Sequence, residues 1–245
     1  MDIQLFNYTS CQPSIFQSGY IEGAKIIGAD KFGERGRYGE GVTIAVIDTG
    51  ADVNHSDLKD RIVGVKNFTS DDKYNQGNVT DYSGHGTHTS GIIGANGNII
   101  GVAPKCNLLI LKALTRTGGR MAWVTEAINY AVEQGVDIIS MSLGSSNKNT
   151  DMYNAIKRAI DKNIVVVCAS GNNGDNKADT VELNYPSGFN ECVSVGSVTY
   201  SKKYSRFTAT NNEIDLVAMG EGYNNRGILS LYPNGLYVEM KGTSM

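Results

Sequence analysis

Leu108-Leu109-Ile110-Leu111 is an apolar run of strand length, and the helix and strand signals next along the chain decide the fold. Val124, Ala127, Ile128, Ala131 and Val132 recur at i, i+3, i+4 spacing, with Gly135 placed to close the helix they imply. Val136-Asp137-Ile138-Ile139-Ser140-Met141-Ser142-Leu143 is then the next strand. The pattern extends in both directions. Val42 to Ile47 is another short apolar run. Met152, Ala155, Ile156, Ala159 and Ile160 make a second amphipathic helix, with Thr150 or Asp151 as the expected N-cap, and Ile164 to Ala169 is a strand again. Strands alternating with helices in this way predict an α/β chain with a parallel sheet covered on both faces.

Such sheets collect ligands and catalytic groups beyond the carboxyl ends of their strands. Asp48 directly follows the run 42–47, and Ser142 to Ser145 and Gly171-Asn172-Asn173-Gly174 end two other runs. The polar, glycine-rich segments therefore gather on one rim. Residues 1–23 are weakly patterned and are expected to form an N-terminal arm or short pro-segment ahead of one domain over 24–245. No repeat, low-complexity tract or linker divides that domain.

The composition excludes several functions. With 22 basic and 25 acidic residues the net charge is −3, so no basic stripe invites nucleic acid or an anionic membrane. The longest apolar runs are far too short to cross a bilayer, and the N-terminus lacks the pattern of a secretory signal. The 4 cysteines are far apart and show no metal-ligand spacing; Cys168 is expected as a small buried hydrophobe. A reducing, cytoplasmic location is the expectation.

Three glycine-flanked polar segments carry candidate chemistry: Ile47-Asp48-Thr49-Gly50, Gly84-His85-Gly86-Thr87-His88 and Gly242-Thr243-Ser244-Met245. A serine hydroxyl is a weak nucleophile and needs an adjacent base. Histidine titrates near neutrality, and a carboxylate can orient it and stabilise its charged form. Ser244, His85 and Asp48 supply these three parts, and Asn172 with the backbone N–H of Ser244 supplies donors for an oxyanion. Each fragment alone has another reading. Asp-Thr-Gly also occurs in aspartic proteases, but those need two and no second copy is present. Asp48 can simply cap a turn. His85 and His88 are spaced to share a helix face as zinc ligands, or His88 can be a packed, hydrogen-bonded histidine. Asn172 can be a turn residue.

Together these segments resemble the subtilisin family of serine peptidases, above all its intracellular branch. The likeness also runs through Gly101-Val102-Ala103-Pro104, Ile128 to Glu133, Val136 to Gly144, Val165 to Asn172 and Glu213 to Ala218. It implies a three-layer α/β fold with a mostly parallel central sheet, its C-terminal part missing here because relatives continue past the nucleophile. It implies an Asp48–His85–Ser244 triad, Asn172 in the oxyanion hole, and a serine endopeptidase working on extended peptide or unfolded protein. Substrate would lie as an added strand between Thr117-Gly118-Gly119 and Ser142-Leu143-Gly144, with Ala169-Ser170-Gly171 walling the S1 pocket. Met121 stands where relatives shape S4, or belongs to the core.

The chain also departs from the family pattern. Asp57 matches a calcium ligand, but the loop 92–100 is shorter than the one that usually carries the strong calcium site, which argues against calcium there; no cofactor is needed for the chemistry. Leu5-Phe6-Asn7-Tyr8 stands where the intracellular branch has an inhibitory Leu-x-Pro-Tyr arm, and lacks its proline. Ala218-Met219-Gly220 replaces Ala-Pro-Gly, and residues 222–227 look inserted. These departures suggest two other functions: a truncated homologue that binds peptides without turnover, and a peptide-maturation protease of the leader-peptidase kind, which has a similarly short loop.

Overall fold

The structure is a computed structural model that describes residues 2–5, 9–11, 18–177 and 179–245. In chain order the strands used below are β1 (Asp2–Leu5), β2 (Thr9–Cys11), β3 (Thr43–Asp48), β4 (Ile62–Asn67), β5 (Asn107–Lys112), β6 (Gly119–Arg120), β7 (Ile138–Met141), β8 (Leu143–Gly144), β9 (Val165–Ala169), β10 (Val193–Thr199), β11 (Leu216–Glu221), β12 (Ile228–Tyr232) and β13 (Leu236–Lys241). The helices used below are α1 (His85–Gly94), α2 (Met121–Glu133) and α3 (Thr150–Asp161).

Seven strands form the central sheet in the order β11-β10-β9-β7-β3-β5-β4. Every pairing in it is parallel, as near-continuous apolar strands joined by helices require. Alternate side chains leave opposite faces of a strand. Ala45, Ile47, Leu109 and Leu111 accordingly enter one buried cluster, whereas Ile44, Val46, Leu108 and Ile110 enter another. The first cluster is closed by α2 through Val124, Ala127, Ile128 and Ala131 and by α3 through Met152, Ala155, Ile156 and Ala159. The second is closed by Ile21, Ala24, Ala95, Ile99 and Leu231. The two clusters make the three expected layers.

Two details differ from the sequence reading. Helix α3 is capped by Asn149, whose side-chain oxygen accepts from the Met152 N–H at 2.8 Å, so neither Thr150 nor Asp151 is the cap. The run 136–143 is two strands, β7 and β8, broken at Ser142. Residues Tyr223–Asn225 form a 3-10 turn between β11 and β12, inside the segment that looked inserted. Cys168 is buried, as expected, and burial holds its thiol pKa well above the ordinary value. No helix among the described residues is long and apolar enough to cross a membrane.

Described segments of the N-terminal arm enter three small sheets, one of them Gly19–Tyr20 paired parallel with Ile99–Ile100. β2 pairs antiparallel with β13, and β1 lies antiparallel between β6 and β8. Phe6, Asn7 and Tyr8, which complete the arm motif, lie outside the described residues.

Candidate active site

Asp48 is the last residue of β3 and is 1% exposed. The first residue of α1, His85, faces it: Nδ1 is 2.8 Å from one carboxylate oxygen and 3.0 Å from the other. With the proton on Nδ1 the imidazole donates to the carboxylate, which leaves Nε2 to act on a reacting group. The Thr49 N–H and the Thr89 hydroxyl complete the carboxylate shell at 2.7 and 3.3 Å. A buried carboxylate with this set of partners can hold one imidazole tautomer and balance its charge when protonated.

The glycines flanking His85 have steric reasons. Gly84 has φ +88°, and a side chain there would strike the Tyr232 ring. A Cβ at Gly86 would come within 2.1 Å of the Gly50 carbonyl oxygen and 3.2 Å of the Asp48 Cβ. The start of α1 can therefore approach the end of β3 closely enough for the Asp48–His85 contact.

Asp81 holds the helix end in place. One of its oxygens accepts from the Ser83 and Gly84 N–H groups and the Thr49 hydroxyl. The other accepts from the N–H and hydroxyl of Thr87. An anion on the unpaired donors of a helix N-terminus is favourable. Thr49 in turn accepts from the Gly86 N–H at 2.9 Å. Beneath it lies Lys112, fully buried at the end of β5. Its ammonium donates to the Thr49 and Thr80 carbonyl oxygens at 2.8 and 3.0 Å and pairs with Asp71 at 3.1 Å. Lys112 and the supporting role of Asp81 were missed from sequence. The available signal was a lysine ending an otherwise apolar strand in register with Asp48.

His88 does not join this site as a metal ligand. It is fully buried, and its Nε2 contacts the Ile228 carbonyl oxygen at 3.0 Å. Burial, with the nearby His85, pushes its pKa down to about 3. It is therefore a neutral packing histidine that docks α1 onto β12.

Ser244 comes after β13 and lies beside the break between β7 and β8. Its hydroxyl donates to the Ser142 carbonyl oxygen at 3.4 Å, and the Ser142 hydroxyl donates to the Ser244 carbonyl oxygen at 3.2 Å. Asn172 reaches the same segment: its side-chain oxygen accepts from the N–H and hydroxyl of Thr243, both at 2.8 Å. Its orientation is thereby set, with the NH₂ as the donor end. Gly171 donates its N–H to the Thr243 hydroxyl oxygen at 3.2 Å, and the Ser170 carbonyl oxygen accepts from Asn184 at 2.9 Å. Gly171 thus sits next to Thr243.

The two expected substrate edges flank a strand of the chain itself. Ile3 is in register with Gly119 on one side, and Gln4 and Leu5 with Gly144 and Leu143 on the other. Ile3 is fully buried in the cluster that holds Leu114, Met121, Val124 and Leu143, so Met121 is a core residue at the edge of this groove. Asp57 is not part of this rim; it lies where the 96–100 loop meets the start of β13.

The sequence pattern of the Subtilase family matches residues 39–245. The chain is 45% identical to the major intracellular serine protease of Bacillus subtilis (strain 168), covering 100% of the chain and 76% of that protein. It is 47% identical to an intracellular serine protease of Paenibacillus polymyxa over 84% of the chain and 63% of that protein, and 35% identical to thermitase of Thermoactinomyces vulgaris over 84% and 71%. It thus spans about three quarters and under two thirds, respectively, of the two intracellular relatives. The chain belongs to the subtilase family of subtilisin-like serine endopeptidases.

Proposed function

From that membership we propose that the protein cleaves peptide bonds with Ser244 as nucleophile, His85 as base and then acid, and Asp48 as the orienting carboxylate. Peptide or unfolded protein binds extended along the rim, between 117–119 and 142–144, with 169–171 beside the scissile residue. Ser244 attacks the carbonyl carbon while His85 Nε2 takes the hydroxyl proton. The Asn172 amide and the Ser244 N–H face the oxyanion as it forms. His85 then protonates the leaving amine, and water hydrolyses the acyl-enzyme by the same route. The observation that carries this reading is β1. Strand addition is how such a groove takes a peptide, and here both of its edges pair with an extended segment at once.

A fluorophosphonate probe tests the nucleophile: it is expected to label the wild type and not Ser244→Ala, whose kcat should fall by about 10⁶, the loss known for this serine in subtilisin itself. A full-length Ser244→Ala protein that still turns over, free of contaminating protease, overturns the assignment.

The arm gives the same groove a second role. Because β1 occupies both edges with its Ile3 side chain buried, it competes with substrate for them. Removal of residues 1–18 is expected to lower KM for a short peptide and leave kcat unchanged; an unchanged KM overturns the competition. Location inside the cell is proposed from the names of the two intracellular relatives and from Cys106, Cys168 and Cys192, all free and buried.

A further inference from the structure

The resemblance places a calcium ligand at Asp57, and the groups around Asp57 do not fit a cation. A calcium ion takes about 6–8 oxygen ligands, each turning a lone pair toward it. The groups that reach this carboxylate are donors instead. The Ile99 N–H and the Tyr237 hydroxyl donate to one oxygen, each at 3.0 Å, and the Ser56 hydroxyl donates to the other at 3.0 Å. The backbone of Gly97 leans on the remaining side, where an added Cβ would lie 2.3 Å from a carboxylate oxygen. Asp57 is 3% exposed, so its carboxylate meets neighbouring chain rather than bulk solvent. Among the described residues no group of three or more His, Cys, Asp or Glu side chains could hold a metal.

We infer that Tyr237 and the backbone of the shortened loop replace the cation, so that this junction holds without calcium. Burial pushes the Asp57 carboxyl up, but the Ile99 and Asn98 N–H groups and the Ser56 and Tyr237 hydroxyls outweigh it and keep the group below the usual carboxylate range. The anion is thus stabilised by hydrogen bonds alone. Tyr237 is itself fixed. Asn98 donates its side-chain N–H to the phenol oxygen at 3.0 Å, and the His55 ring meets the Tyr237 ring edge-on at 5.3 Å. His55 also contacts the Leu236 carbonyl oxygen at 3.2 Å and accepts from the Asp57 N–H at 3.2 Å.

The consequence reaches the catalytic rim. The clasp joins the segment after β3, the loop after α1 and the start of β13. Those three elements carry Asp48, His85 and, just past β13, Ser244. One carboxylate and one phenol therefore fasten the far ends of α1 and β13 to the segment that follows Asp48.

Tyrosine-sensitised Tb³⁺ emission and thermal unfolding test this on the wild type, Asp57→Asn and Tyr237→Phe, in EGTA and in millimolar calcium. Neither readout depends on turnover, so failure here is separate from failure of the proposed chemistry. The expected result is Tb³⁺ emission that does not differ between wild type and Asp57→Asn. Tyr237→Phe, which keeps the ring but not the hydroxyl, is expected to lower Tm by about 3–10 °C, equally with and without calcium. The inference is overturned by one equivalent of Tb³⁺ bound in the wild type and lost in Asp57→Asn, or by Tyr237→Phe melting like the wild type. Should Asp57→Asn not fold, Tyr237→Phe decides: a Tm loss seen only in EGTA and repaired by calcium overturns it.

Discussion

Asp48 ends β3 and Asp57 follows it by nine residues in a turn, and the two regions they organise use a buried carboxylate in opposite ways. Asp48 accepts from one backbone N–H, one threonine hydroxyl and an imidazole. On the proposed reading, the charge of Asp48 stabilises the imidazole as it takes the Ser244 proton during reaction. Asp57 accepts from backbone N–H groups and two hydroxyls, none of which titrates near neutrality. Its charge is committed to holding three segments together. Burial is nearly equal, 1% and 3% exposed, so depth does not separate the carboxylate proposed to be reactive from the structural one. The partner does.

The sharpest way to break the comparison is to remove the charge of Asp48 and keep its shape. Asp48→Asn is expected to lower kcat by about 10⁴, the size known for this change in a serine-protease triad, because the amide favours the wrong imidazole tautomer. Tm should move little by comparison. A variant that lost stability but kept its kcat would place Asp48 with Asp57, as a fastening group.

The next effect lies between the two regions. His88 sits on α1 three residues after His85 and holds the hairpin β12–β13 that leads to the clasp. Its Nε2 meets the Ile228 carbonyl oxygen, and its own carbonyl oxygen accepts from the Ser230 hydroxyl at 2.7 Å. Its folded pKa of about 3 lies below the ordinary 6.5. Below pH 6.5 the unfolded chain therefore takes up a proton that the folded chain refuses until about pH 3. Stability from the neutral ring is fully present above pH 6.5 and is lost as pH falls toward 3, by about 3 kcal/mol at pH 4. Denaturant unfolding of wild type and His88→Gln at pH 7 and pH 4 measures it. The wild type should lose more on acidification by about that amount, and parallel losses would mean that His88 is already protonated in the fold.

These regions also mark how far the sequence could be read. β3 and β5 were legible because both faces of a central parallel strand are buried, and an unbroken apolar run has few other uses. The surface helices α2 and α3 were legible because each buries one stripe. Helix α1 carries no such stripe: Gly86, Thr87, Thr89, Ser90 and Gly91 are small and buried all round, so periodicity is silent there. The hairpin has a local signal in Asn234-Gly235, both at positive φ, yet its partner His88 is 140 residues away from Ile228. Asp48 and His85 could be paired from residue type and rim placement. Tyr237 could not be matched to Asp57, since a tyrosine 180 positions away leaves no mark on the acid it binds.

The smallest expected effect tests whether the clasp is as divorced from chemistry as the contrast between Asp48 and Asp57 requires. Ser56→Ala removes one of the donors to Asp57 and leaves Tyr237 and Ile99 in place. Loss of one hydrogen bond to a carboxylate that keeps its other donors is expected to cost about 1 kcal/mol, read as a shift in the denaturant midpoint. Because the remaining donors still fix all three segments, kcat and its pH profile should match the wild type. A shifted pH profile would mean that the charge at Asp57 is felt at His85 through α1, and the two carboxylates would then be one electrostatic unit rather than two.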